Sequence, residues 1–108
     1  MDRTRALAAL GALAQGTRLD AFRSLVQAGP RGLPAGELAV ALGITPPALS
    51  FHLRGLADAG LVHARQDGRF VWYRADLAAM HGLVGFLSEN CCGGEPCLPV
   101  RRPARKRA

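Results

Sequence analysis

The sequence predicts a mainly α-helical domain, five helices with one small hairpin of two antiparallel strands. Three observations point there. Apolar residues recur at helical spacing in separate segments, each bounded by Gly, Pro, Thr or Asp. A pair of β-rich runs, "LVHAR" and "FVWYR", flanks "QDGR", and an Asp-Gly pair between such runs is a strong hairpin signal. The chain has 108 residues and a globular balance of apolar and charged residues, which fits one domain.

The first helix, Ala6 to Ala14, is apolar almost all round, with Leu7, Leu10 and Leu13 along one side and alanines elsewhere. Such a helix is buried on most faces, and in a chain this short a second subunit is the natural cover. Thr17 is placed to cap the second helix, with Asp20 three residues on. Leu19, Phe22 and Val26 keep helical spacing, and Gly29-Pro30 ends it. "RGLP" turns the chain into a short helix, Glu37 to Leu42, stopped by Gly43. Thr45 caps the next helix, where Pro46 is tolerated at the first position. Its core stripe is Leu49, Leu53 and Leu56, and Gly60 closes it. Asp76 caps the last helix, to about Ser88. Leu77, Met80, Leu83, Val84, Phe86 and Leu87 span an arc wider than a surface helix needs, and Ala78, Gly82 and Gly85 allow close approach on the other side. Both terminal helices are over-apolar for a monomer, so a homodimer through the first and last helices is expected.

No run approaches the length of a membrane span. The Ala- and Leu-rich start is short, lacks a cleavage signal and runs into further helix. The chain therefore reads as cytoplasmic. Its net charge is +6, but Arg101, Arg102, Arg105, Lys106 and Arg107 carry five of those charges, and the body is left near neutrality at +1. A DNA-packaging role would need a basic body. The tail, residues 98–108, is either a sequence-independent grip on phosphate or a disordered solubilising extension.

Two short helices joined by a tight Gly-containing turn, then a two-stranded wing, make a winged helix-turn-helix. Opposite the core stripe of the Thr45 helix lie Pro47, Ser50, Phe51, Arg54 and Asp58. Ser50 and Arg54 suit base edges or phosphate, and Phe51 a thymine methyl. The N–H groups at the Thr45 end suit a phosphate. Arg65 and Arg69 lie on the wing. His52, beside the core stripe, counts with the DNA-binding set, although a packed and hydrogen-bonded role is its bland alternative. His63 reads as structural.

The stretch "ELAVALGITPPALSFHLRGLADAGLVHARQDGRFVWYRAD" resembles the ArsR/SmtB family of bacterial metal-responsive repressors. "LSFHL", "L-x-x-AGLV" and "R-x-DGR-x-x-x-YR" carry the resemblance, which covers about residues 5 to 90. It implies a repressor that binds operator double-stranded DNA. The chain departs from the family at its ligand sites. Ala39 and Ala41 stand where many arsenic sensors have cysteines. The D-x-H zinc pattern of the last helix fails, because Asp76 is followed only by His81 and then Glu89.

All three cysteines instead lie in "ENCCGGEPC", as Cys91, Cys92 and Cys97. Similar thiols at this end of other family members imply an arsenite sensor. Soft As(III) prefers thiolate, and three sulfurs complete its pyramidal shell; Sb(III) fits equally. Zinc wants a fourth ligand, for which only Glu89, Glu95 or His81 stand near. Adjacent cysteines converge only on a bent backbone, for which Gly93-Gly94 supply freedom and Pro96 a stiff return. An odd thiol count argues against a disulfide framework. A thiol redox switch and a zinc knuckle stay open as alternatives, and a thiol-dependent arsenate reductase is a remote one. The expected organisation is a DNA-binding and dimerisation domain over 1–90, a metalloid segment over 91–97 and the tail over 98–108.

Overall fold

The computed structural model describes residues 1–96. Cys97 and the basic tail lie outside the described residues, so the expectations placed on them carry no structural account. The helix α1 spans Arg3–Leu13 and starts earlier than the apolar pattern suggests, because the Asp2 carboxylate accepts from the Arg5 N–H at 2.8 Å. The inward stripe is alanine, not leucine. Ala6, Ala9 and Ala12 are buried, while Leu7 and Leu10 face outward. Small residues let α1 lie close on the body and leave Leu7 and Leu10 uncovered, while Leu13 packs against the core.

The helix α2 spans Gly16–Ala28. Thr17 does not cap it. Gln15 does, its side-chain oxygen accepting from the Arg18 N–H at 2.8 Å. Ala21, Phe22 and Leu25 form its buried stripe, and Leu19 is exposed. A 3₁₀ turn over Gly29–Arg31 follows, then a strand β1 of two residues, Leu33–Pro34. The helix α3 spans Ala35–Leu42 and ends on Gly43 in the left-handed conformation. The helix α4 spans Pro46–Asp58, with the Thr45 hydroxyl accepting from the Ala48 N–H at 3.3 Å.

Strands β2 (Val62–Asp67) and β3 (Phe70–Ala75) form the hairpin, in register from Val62 opposite Ala75 to Asp67 opposite Phe70. Asp67 is thus the last ladder residue, and the turn itself is Gly68-Arg69, with Gly68 at positive φ. The expected two-stranded sheet has three strands. β1 pairs antiparallel with β3, giving the order β1-β3-β2. Gly32 makes this joint, at φ +77, where a Cβ would overlap the Tyr73 carbonyl. The helix α5 spans Leu77–Leu87, capped by Asp76, whose Oδ1 accepts from the Ala79 N–H. Leu25, Leu38, Leu49, Leu53, Leu56 and Leu61 are the sealed centre of one core shared by all the helices. That core fixes the direction in which α4 presents its outer side.

Candidate nucleic-acid interface and thiol segment

The polarity of α4 follows from its period. Leu49, Leu53 and Leu56 are buried, so Pro47, Ser50, Phe51 and Arg54 must point away, and all four are exposed. Phe51 is 65% exposed, a large aromatic held open to solvent on a helix whose inner side is sealed. A second copy or a ligand aside, water is a poor neighbour for such a ring. His52 lies at the boundary. Its ring meets Phe51 edge-on with centroids 5.4 Å apart, and its Nδ1 is enclosed without a hydrogen-bond partner. It is packed, but the hydrogen bond expected of a structural histidine is missing at that nitrogen.

The N-terminus of α4 differs from expectation. Pro46 and Pro47 have no N–H, and the Ala48 N–H is taken by Thr45. The N–H cradle that would hold a phosphate there is absent, a consequence already written in "TPPA". Thr45 is exposed and serves as the cap.

On the hairpin, Arg65 and Arg69 are exposed, Arg69 at the turn. The wing has one more cation than the sequence suggested. The Trp72 ring has two guanidinium groups against it, Arg31 at 5.1 Å and Arg65 at 5.6 Å from its centroid. Register explains this: Trp72 faces Arg65 across β2 and Pro34 across β1, so the turn before β1 brings Arg31 alongside. Stacking on an indole holds a guanidinium in place while leaving its N–H edge free. Only the pairing of β1 with β3, too short to show periodicity, could have disclosed Arg31.

His63 pairs with the cap of α5. Its Nε2 lies 2.7 Å from Asp76 Oδ2. The His63 hydrogen bond, then the Ala79 N–H, hold the Asp76 carboxyl below the usual carboxylate range against the opposing effect of burial. This ties β2 to the first turn of α5. It also occupies Asp76, so the Asp76/His81 zinc pairing has no geometric support, and no group of three His, Cys, Asp or Glu among the described residues could hold a metal.

Past Ser88, the chain bends through a 3₁₀ turn over Cys91–Gly94. The bend is made by Asn90 and Cys92 themselves, at φ 56° and 55°, as well as by the two glycines. Left-handed non-glycine residues are uncommon. Here they bring Cys91 Sγ and Cys92 Sγ to 3.7 Å, both side chains at the surface. Two sulfurs each about 2.3 Å from a common centre must lie within about 4.6 Å of one another, and this pair does.

A helix-turn-helix domain family model matches residues 13–65. An ArsR-like transcriptional regulator from Rhodococcus sp. RHA1 is 28% identical over 79% of this chain and 77% of its own, with a TM-score of 0.69. A structure described as a possible transcriptional regulator for arsenical resistance is 33% identical over 73% of this chain and 79% of its own, at a TM-score of 0.64. The homodimeric winged helix-turn-helix DNA-binding domain of Mb0332 from Mycobacterium bovis is 27% identical over 85% of each chain, also at 0.64. No curated protein matches. With the α3–turn–α4 unit, the wing and these likenesses together, the chain belongs to the ArsR family of winged helix-turn-helix transcriptional regulators, a family of DNA-binding proteins and not of enzymes.

Proposed function

We propose that the chain is a cytoplasmic, homodimeric repressor released from its operator by As(III) or Sb(III). In the dimer the two α4 helices enter successive major grooves of an imperfect palindrome. Pro47, Ser50, Phe51 and Arg54 read the groove, His52 supports Phe51, Thr45 caps the helix, and Arg65 and Arg69 reach the backbone from the wing. Cys91, Cys92 and Cys97 capture the metalloid. Metalloid capture there pulls on α5, changes the spacing of the recognition helices and frees the operator of a resistance operon. Coupling of this kind amounts to about 1–3 kcal/mol.

The observation that carries the reading is the convergence of Cys91 and Cys92 to 3.7 Å at the end of α5. The outward Leu7, Leu10, Val84 and Leu87 support the dimer. So does the similarity to a homodimeric relative. Another relative is described for arsenical resistance.

The experiment is operator binding with and without arsenite, on the wild type and on a variant with all three cysteines changed to Ser. The wild type should release DNA and the variant should hold it, because a hydroxyl is a poor ligand for a soft centre. Arg54→Ala should weaken binding with or without arsenite by about 1–3 kcal/mol. Release of the wild type by peroxide or a disulfide reagent, with arsenite inert, would replace the metalloid reading by a redox one.

A further inference from the structure

Arg18 lies outside the recognition helix and has no carboxylate partner among the described residues. It is the third residue of α2, and its guanidinium rests against the backbone of α4. A Cβ on Gly55 would stand 3.0 Å from Arg18 Nε and 3.1 Å from Cζ, so the missing side chain at Gly55 is what admits the group. Cζ also lies 6.0 Å from the centroid of the Phe51 ring, one helical turn earlier. Nε is enclosed and has no hydrogen-bond partner.

Among the described residues no carboxylate pairs with this charge. The ion pair found among the described residues is His63–Asp76. Asp58 lines the same shallow groove as Arg18 but makes no ion pair with it. The helix itself opposes the charge. The first turn of α2 holds no acidic residue, and a helix N-terminus is already positive. Arg18 is half-buried with its Nε sealed against α4, and a cation fixed this way is kept where something pairs with the open edge of its fork.

The position indicates what pairs. Arg18 flanks the side of α4 that exposes Phe51 and Arg54, and a duplex against that side brings a row of phosphates along its edge. A guanidinium fork suits a phosphate. The N-terminus of α4, with two prolines, supplies no competing N–H cradle. We propose that Arg18 is a DNA-phosphate contact, held in place by Gly55 and Phe51, that anchors the recognition helix from α2. This rests on the reading of α4 as the major-groove helix.

The test uses the salt dependence of binding to a mixed-sequence duplex of about three helical turns. Arg18→Met keeps the aliphatic bulk against Gly55 and removes the charge, and Arg18→Lys keeps the charge. One lost contact per subunit, two per dimer, should make the log–log slope shallower by about 1.8 for Arg18→Met. Arg18→Lys should keep the wild-type slope. An unchanged slope for a folded Arg18→Met overturns the proposal. If that variant also self-associates more weakly, the guanidinium serves a carboxylate of the second subunit instead. Should Arg18→Met not fold, the wild-type Arg18 Nε–H resonance decides: a shift on adding duplex supports the contact, and a constant position refutes it. A wild type that does not bind the duplex overturns the major-groove reading and this inference with it.

Discussion

At the scale of single residues, Asp76 does more than a cap. One oxygen accepts from the Ala79 N–H at the start of α5, the other meets His63 on β2. Its carboxyl is held below the usual range chiefly by His63, so the folded state binds the ionised form better than the unfolded chain does. The sign follows. The stabilisation is complete above the ordinary carboxylate pKa and is lost as pH falls through the lowered folded value. Asp76→Ala should cost about 1–2 kcal/mol at neutral pH. The gap from the wild type should narrow as pH falls below the ordinary carboxylate range. Asp76→Asn keeps a capping oxygen, so its cost should stay under about 1 kcal/mol, the worth of an exposed pair. Urea unfolding across pH checks all three. A gap for Asp76→Ala that persists undiminished in acid would contradict the assignment.

At the scale of elements, the wing is a three-stranded joint and not a free hairpin. Gly32 closes it, at φ +77 and with no room for a Cβ beside Tyr73. Gly32→Ala must both strain the backbone and push β1 from β3, which carries Arg31 away from Trp72. We expect a loss of about 2–4 kcal/mol, at the upper end for single substitutions. Gly36→Ala, on an exposed turn of α3 with open space around it, should be neutral or slightly stabilising. Thermal melting of the two variants side by side gives the contrast; equal melting temperatures would show that β1 contributes nothing.

At the scale of the molecule, α1 and α5 pack together and turn apolar residues outward. Leu7 is 53% exposed, Val84 59% and Leu87 61%. Gly85 faces open space, ready for close approach, whereas Gly82 already meets Met1. Surfaces of this kind are covered in stable proteins. Sedimentation at micromolar concentration should give a dimer, and Leu87→Glu should shift it towards monomer. A wild-type monomer, well folded and stable, would remove the basis for two half-sites.

Much of this was legible in the chain because it is decided locally. The period of Leu49, Leu53 and Leu56 orients α4, and Thr45 and Asp76 cap their helices through contacts three residues away. The Asp-Gly pair marks the hairpin, although the turn proper falls one residue later. The clustering of Cys91 and Cys92 is a property of sequence as well. Gln15 caps α2 in the same local way, accepting from the Arg18 N–H three residues on, because the helix begins at Gly16 and Thr17 lies inside it. Tertiary structure alone decided the rest. Alanines, not leucines, face inward on α1, because the space over the body admits only small groups. Two residues, Leu33 and Pro34, become a strand because β3 is there to pair with them. Arg31 meets Trp72, His63 meets Asp76 and Arg18 meets Gly55 across long stretches of chain. No spacing rule relates residues brought together by packing; only the shape of the shared core does.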